Sequence, residues 1–144
     1  MVSGIRVSVL LLAAMILPMA VSAATKAPAT FSRITHSGKV ITGKALEIGI
    51  DHKGVKLEAI TFSGDEAIVV VWNRTPNGVK GHVGIALYDS KNRLIAAESD
   101  SQSITRKMMK IRAGKTANFK IKFKKFMSSF KGAAKYRLVF VTST

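Results

Sequence analysis

From residue 46 onward, apolar and polar side chains alternate along the chain. Leu46, Ile48 and Ile50 are interleaved with Glu47, Gly49 and Asp51, which places the apolar set on one face of a strand. Asp51-His52-Lys53-Gly54 then reads as a turn, because aspartate bonds the backbone ahead of it and glycine accepts a positive φ. Val55, Leu57 and Ala59 resume the alternation, and Ser63-Gly64-Asp65 marks a second turn. Residues 67–72 (Ala-Ile-Val-Val-Val-Trp) are apolar on both faces, which predicts a central strand covered on both sides. Asn73-Arg74-Thr75-Pro76-Asn77-Gly78 is a loop by composition.

Val83, Ile85 and Leu87 define the next alternating strand, and Asp89-Ser90-Lys91-Asn92 turns the chain into residues 94–97. Residues 99–103 are a polar connection. Met109 and Ile111 lead into a turn at Ala113-Gly114. The clearest amphipathic strand follows: Ala117, Phe119, Ile121 and Phe123 alternate with Asn118, Lys120, Lys122 and Lys124. Phe126, Met127 and Phe130, followed by Lys131-Gly132, fit one or two helical turns with a glycine stop. Residues 136–141 close the chain as a mostly apolar strand. About seven to nine strands, separated by turn signals roughly every 8–12 residues, predict an all-β, antiparallel sandwich, with a small barrel as the alternative. Trp72, Ile85, Leu87, Phe119 and Ile121 are the expected core.

The N-terminus follows different rules. Residues 1–6 carry one positive charge, residues 7–17 are apolar or small, Pro18 breaks the run, and Val21-Ser22-Ala23 offers small residues before Ala24. This is the layout of a cleavable signal peptide over residues 1–23. The apolar run is shorter than the roughly 20 residues of a spanning helix. Residues 24–30 read as a flexible leader and residues 31–144 as one domain. Export predicts a periplasmic or secreted protein. With no cysteine, its stability rests on a core rather than on disulfides. About 120 residues suffice for that, since a chain of this size buries roughly two-thirds of its unfolded surface.

Residues 83–89 (Val-Gly-Ile-Ala-Leu-Tyr-Asp), with Leu94-Ile95 beyond a turn and residues 111–119 further on, resemble the FxLYD-type domains of exported prokaryotic proteins. Leu87-Tyr88-Asp89 matches the motif, Ile85 stands where the family has Phe, and Trp72-Asn73 resembles its strand-ending Asn. The resemblance spans roughly residues 67–119. It implies an immunoglobulin- or fibronectin-like sandwich and supplies no catalytic residues. Tyr136, at the start of the last strand, is similar to the tyrosine corner of such sandwiches, although Leu138 stands where antibody domains carry a cysteine.

Few residues are available for chemistry. The three histidines, His36, His52 and His82, are not at ligand spacing, and the latter two read as solvated loop residues. Asp89 and Asn92 suit a hairpin turn better than a calcium loop. There is no Gly-x-Ser-x-Gly element, no paired carboxylates and no phosphate-binding glycine loop. No cofactor or metal is expected, and the chain reads as a non-enzymatic binding or structural module of the bacterial envelope. An envelope hydrolase with an unrecognised site, or a docking subunit of a larger envelope complex, is the alternative.

Charge adds the strongest functional signal. The chain carries 23 Lys+Arg against 8 Asp+Glu, a formal net charge of +15. Residues 24–100 hold 10 basic and 8 acidic residues, whereas residues 101–144 hold 12 basic and no acidic residue. Such uncompensated charge costs stability through self-repulsion. Lys120, Lys122 and Lys124 are expected on one strand face, with Arg106, Lys107, Lys110 and Arg112 nearby in sequence. They are the candidate contacts for an anionic envelope component (lipid head group, lipopolysaccharide or acidic glycan) or an acidic protein face. Solubility and edge protection are the competing explanation. Nucleic acid is disfavoured, because the aromatic residues of this strand belong to the core face and offer no stacking platform.

Overall fold

The computed structural model describes residues 30–100, 107–124 and 129–143. The signal-peptide segment, most of the leader and Arg106 therefore lie outside the described residues. Nine strands form: β1 (Phe31–Lys39), β2 (Ala45–His52), β3 (Val55–Ser63), β4 (Glu66–Asn73), β5 (Val79–Tyr88), β6 (Leu94–Ser99), β7 (Met109–Ile111), β8 (Thr116–Lys122) and β9 (Lys135–Ser143). One sheet has the order β1-β9-β5-β6, with β7 also paired to β5; the other has the order β2-β3-β4-β8. Every ladder between these strands is antiparallel. The first sheet is called sheet A below and the second sheet B.

The sheets face each other across one apolar core, as the alternation demands. Sheet B contributes Leu57, Ile60, Phe62, Val69, Val71, Phe119 and Ile121, and sheet A contributes Val83, Ile85, Leu87, Leu138 and Phe140. Aromatic rings join the layers: Phe119 meets Phe140 edge-on at 5.7 Å, and Phe62 lies 5.2 Å from Tyr136. Such pairs add about 0.5–1.5 kcal/mol beyond their burial. Gly81 makes the first pair possible, because a Cβ there would lie 2.6 Å from the Phe140 ring.

Turns form where the sequence places them. Lys53 (φ 51°) and Gly54 (φ 82°) occupy a two-residue hairpin loop in which both residues are left-handed, and the Gly54 amide donates to Asp51 Oδ1 at 3.1 Å. Asp89 organises the β5–β6 turn: its Oδ1 accepts the Lys91 and Arg93 amides, each at 2.9 Å, and its Oδ2 accepts Arg93 Nε at 2.8 Å. The backbone bond from Arg93 is the chief cause that holds the Asp89 carboxyl below its ordinary value of 3.8.

Several expectations fail for identifiable reasons. Trp72 is not in the core. It faces outward from β4, half-buried, with the Arg74 guanidinium 5.4 Å from its ring centroid. Ile68 and Val70 share that outward face, so β4 is central in its sheet but covered on one side only. A β-bulge at Glu58 shifts the alternation of β3, so that Ile60 and Phe62, not Ala59, follow Leu57 into the core. The expected helical stub lies partly in residues 125–128, outside the described residues. Its described end is a turn in which Phe130 (φ 55°) buries its ring against Phe62 and Phe123. Strand β1 was not anticipated, because its inward positions include Ser32, His36 and Gly38 beside a single apolar Ile34.

Three stability outcomes follow from this packing. Phe119→Ala is expected to cost about 3–5 kcal/mol in denaturant melts, and Gly81→Ala about 1–3 kcal/mol by overpacking against Phe140. Because the Asp89 carboxyl titrates low in the folded state, its stabilisation is complete above the unfolded carboxylate value near 4 and is lost as pH falls through the folded value. Asp89→Asn should therefore flatten the acid side of a pH–stability profile, measured by circular dichroism.

Candidate anion-binding surface

The basic residues named from the sequence separate onto different parts of the molecule. Lys120 and Lys122 project from the outer face of sheet B, since Phe119 and Ile121 point into the core. Lys124 lies in the turn beyond the end of β8. Lys110 belongs to β7 and therefore to sheet A, on the opposite side of the molecule, and exposed Lys107 and Arg112 flank that short strand. None of these six makes a salt bridge with another described residue.

The strand register lays out each face. On sheet B, cross-strand rows run Ala45–Thr61–Ile68–Lys120, Glu47–Ala59–Val70–Asn118 and Asp51–Lys56–Trp72–Thr116. The middle is apolar and half-buried, with lysines on the β8 edge and acids on the β2 edge. Glu66 stands directly opposite Lys122. This face is mixed in charge.

The outer face of sheet A is different. Its rows run Phe31–Ser143–Lys80–Lys110, Arg33–Val141–His82, Thr35–Val139–Gly84–Ser99, Ser37–Arg137–Ala86–Ala97 and Lys39–Lys135–Tyr88–Leu94. Six exposed cations therefore share it: Arg33, Lys39, Lys80, Lys110, Lys135 and Arg137. Two of the rows set lysine directly against lysine, Lys39 against Lys135 and Lys80 against Lys110. Like charges in directly opposed positions destabilise a sheet. Two carboxylates border these rows: Glu98 is exposed on β6, opposite Ile85, and Asp100 is already engaged, its Oδ1 accepting the Val83 amide at 2.9 Å and lying 2.6 Å from His82 Nδ1. His82 is thus a strand residue with a carboxylate partner, not a solvated loop residue.

Between the cations the surface is hollow. Gly84, Ala86 and Ala97 carry little or no side chain, and with Ile85, Ser99 and Val139 they line a trough of about 430 Å³ whose charged lining residues are Arg137 and Glu98. Sequence reasoning missed Arg33, Lys39 and Lys80 because they come from the charge-balanced part of the chain. Only the pairing of β1 with β9 and of β7 with β5 brings them beside the C-terminal cations. Among the described residues, no group of three His, Asp or Glu side chains is placed to hold a metal ion. His36 lies against Tyr136, with ring centroids 5.7 Å apart, and His52 is at the β2–β3 turn.

Compared with known proteins, the sequence matches no family model and no curated protein.

At the end of β4, Asn73 is fully buried and fully bonded. Its Nδ2 donates to Asn77 O at 2.7 Å and to Ile111 O at 3.1 Å, and its Oδ1 accepts the Thr75 amide and hydroxyl at 3.0 and 2.7 Å. This amide ties β4 to β7 and to the loop that launches β5, and so sets the position of Lys80 against Lys110. Asn73→Ala should cost at least about 2 kcal/mol, because buried backbone groups lose their partners. A thermal melt followed by far-ultraviolet circular dichroism measures it.

Proposed function

We propose that the protein is an exported, non-enzymatic module of the bacterial envelope, of immunoglobulin-like sandwich type, whose outer sheet A face binds an anionic partner. The observation that carries this reading is the pair of directly opposed lysines, Lys39–Lys135 and Lys80–Lys110, on a face that also holds Arg33 and Arg137. A sheet that tolerates two like-charged cross-strand pairs loses stability, and an anion seated between them removes the loss. The small-residue trough lets a phosphate-, sulfate- or carboxylate-bearing lipid or glycan approach the backbone beside the Arg137 guanidinium, on the side away from Glu98, while the two lysine pairs at the ends of the face engage further anionic groups of the same partner.

Strand order supports the fold assignment. Strands β3-β4-β8 facing β6-β5-β9 correspond to the A-B-E and C′-C-F strands of immunoglobulin-type sandwiches, with β1 in the place of G. Tyr136 then falls at the start of the F-equivalent strand, where the tyrosine corner is found, and it is buried, with its hydroxyl pKa raised by desolvation. The departures are β2, which adds to the β3 edge, and β7, which pairs with β5. The sequence layout of residues 1–23 supports export.

The test couples binding to stability. The double variant Lys39→Glu/Lys80→Glu converts both repulsive pairs into opposite-charge pairs, so stability should rise by about 0.2–1 kcal/mol per pair. Binding to anionic vesicles or to an acidic-polysaccharide column should fall sharply at low salt. Wild-type retention should weaken as salt rises, since screening shortens the reach of the face to ~8 Å at physiological ionic strength. Lys120→Glu/Lys122→Glu, on the mixed face, should leave retention nearly intact. If the wild type is retained no better than an unrelated protein of equal net charge, the basic face serves only solubility.

A further inference from the structure

A second concavity lies at one open end of the two facing sheets, away from the trough. Ser32 at the start of β1, His52 and Lys53 at the β2–β3 turn, Thr75, Asn77 and Gly78 of the β4–β5 loop, and Val55, Val79 and Thr142 enclose about 430 Å³. This volume is within the range of small-molecule sites. Its origin is visible in the register. The next inward row of sheet A carries Ile34, Phe140 and Val83, which fill the core, whereas the end row carries Ser32, Thr142 and Gly81. The Phe140 ring covers Gly81, but among the described residues nothing bulky replaces the missing side chains at Ser32 and Thr142.

Thr142 distinguishes this cleft from a packing defect. It is 3% exposed, its side chain points inward like those of Leu138 and Phe140, and its Oγ1 has no hydrogen-bond partner among the described residues. Buried hydroxyls in folded proteins are almost always bonded, and an orphan calls for an explanation. Here the orphan belongs to a residue that lines a cleft together with the apolar Val55 and Val79 and with His52 and Lys53 of the β2–β3 turn.

We propose that this end cleft binds a small organic carboxylate with an apolar body. The Thr142 hydroxyl donates to a carboxylate oxygen, Lys53 supplies the countercharge, and the apolar body lies against Val55 and Val79. The protein's positive charge raises the local concentration of any such anion. The site is independent of the outer sheet A face and stands whether or not that face binds a polymer.

The experiment titrates the isotope-labelled chain beginning at Ala24 with sodium octanoate and, in parallel, with octanol, following backbone amide shifts by NMR. Saturable shifts at Lys53, Gly78 and Thr142 are expected with octanoate, and markedly weaker binding with octanol. Thr142→Val keeps the side-chain shape and should weaken octanoate about tenfold, the value of one hydrogen bond. Lys53→Asn retains a residue that tolerates the left-handed turn and should weaken octanoate but not octanol. Lys39→Glu/Lys80→Glu should leave octanoate binding in place, which separates this site from the proposed basic face. Absence of saturable shifts at these amides, equal affinity for octanol and octanoate, or an unaffected Thr142→Val overturns the assignment and leaves water as the occupant of the cleft.

Discussion

The buried side-chain amide of Asn73 ties three pieces of chain together at one end of the fold. It accepts from Thr75 and donates to Asn77 and Ile111, so the end of β4, the loop to β5 and the short strand β7 share one hydrogen-bonding centre. Its backbone amide also donates to Lys115 O at 2.9 Å, which places the start of β8. An isolated amide in an apolar interior would be costly. With every polar atom satisfied, it instead selects one arrangement of the loop from those that the apolar core alone would tolerate. Both candidate sites depend on that selection: the Lys80–Lys110 row begins just beyond this loop, and Thr75, Asn77 and Gly78 form one wall of the end cleft.

The sequence was most informative where one face of a strand is buried and the other wet. Strand β8, with Phe119 and Ile121 inward and Lys120 and Lys122 outward, is the clearest case, and the Asp51 and Asp89 turns were legible from side-chain chemistry alone. Legibility failed where periodicity and burial part company. An edge strand such as β1 needs few apolar residues, because its ladder to β9 holds it in place. A bulge such as that at Glu58 inverts the phase of a strand without any change in composition. Trp72 misled because it is apolar and adjacent to core residues, whereas strand alternation turns it outward onto Arg74.

The candidate surface was legible only as a quantity of charge. Residue counts located the excess in the C-terminal part, yet a sandwich distributes consecutive strands between two sheets, and the chain crosses from sheet A to sheet B between β7 and β8. Neighbouring cations in sequence therefore end on opposite sides. Conversely, Lys39 and Lys135 are distant in sequence and face each other directly. Proximity of charge in a β-protein is set by pairing, and pairing is a long-range property that local patterns do not encode.

The position of Trp72 has a practical consequence for anyone who follows this molecule by light. It is the sole tryptophan, and it lies half-buried on the outside of sheet B, under a guanidinium that is itself bonded to Asp51 at 2.9 Å. Its emission will respond to the Arg74–Asp51 contact and to solvent at that patch before the two sheets part. An unfolding curve read from intrinsic fluorescence will thus describe a surface latch, and one read from the peptide backbone will describe the core. A gap between the two curves would mark a state in which this patch has opened while the core is still closed.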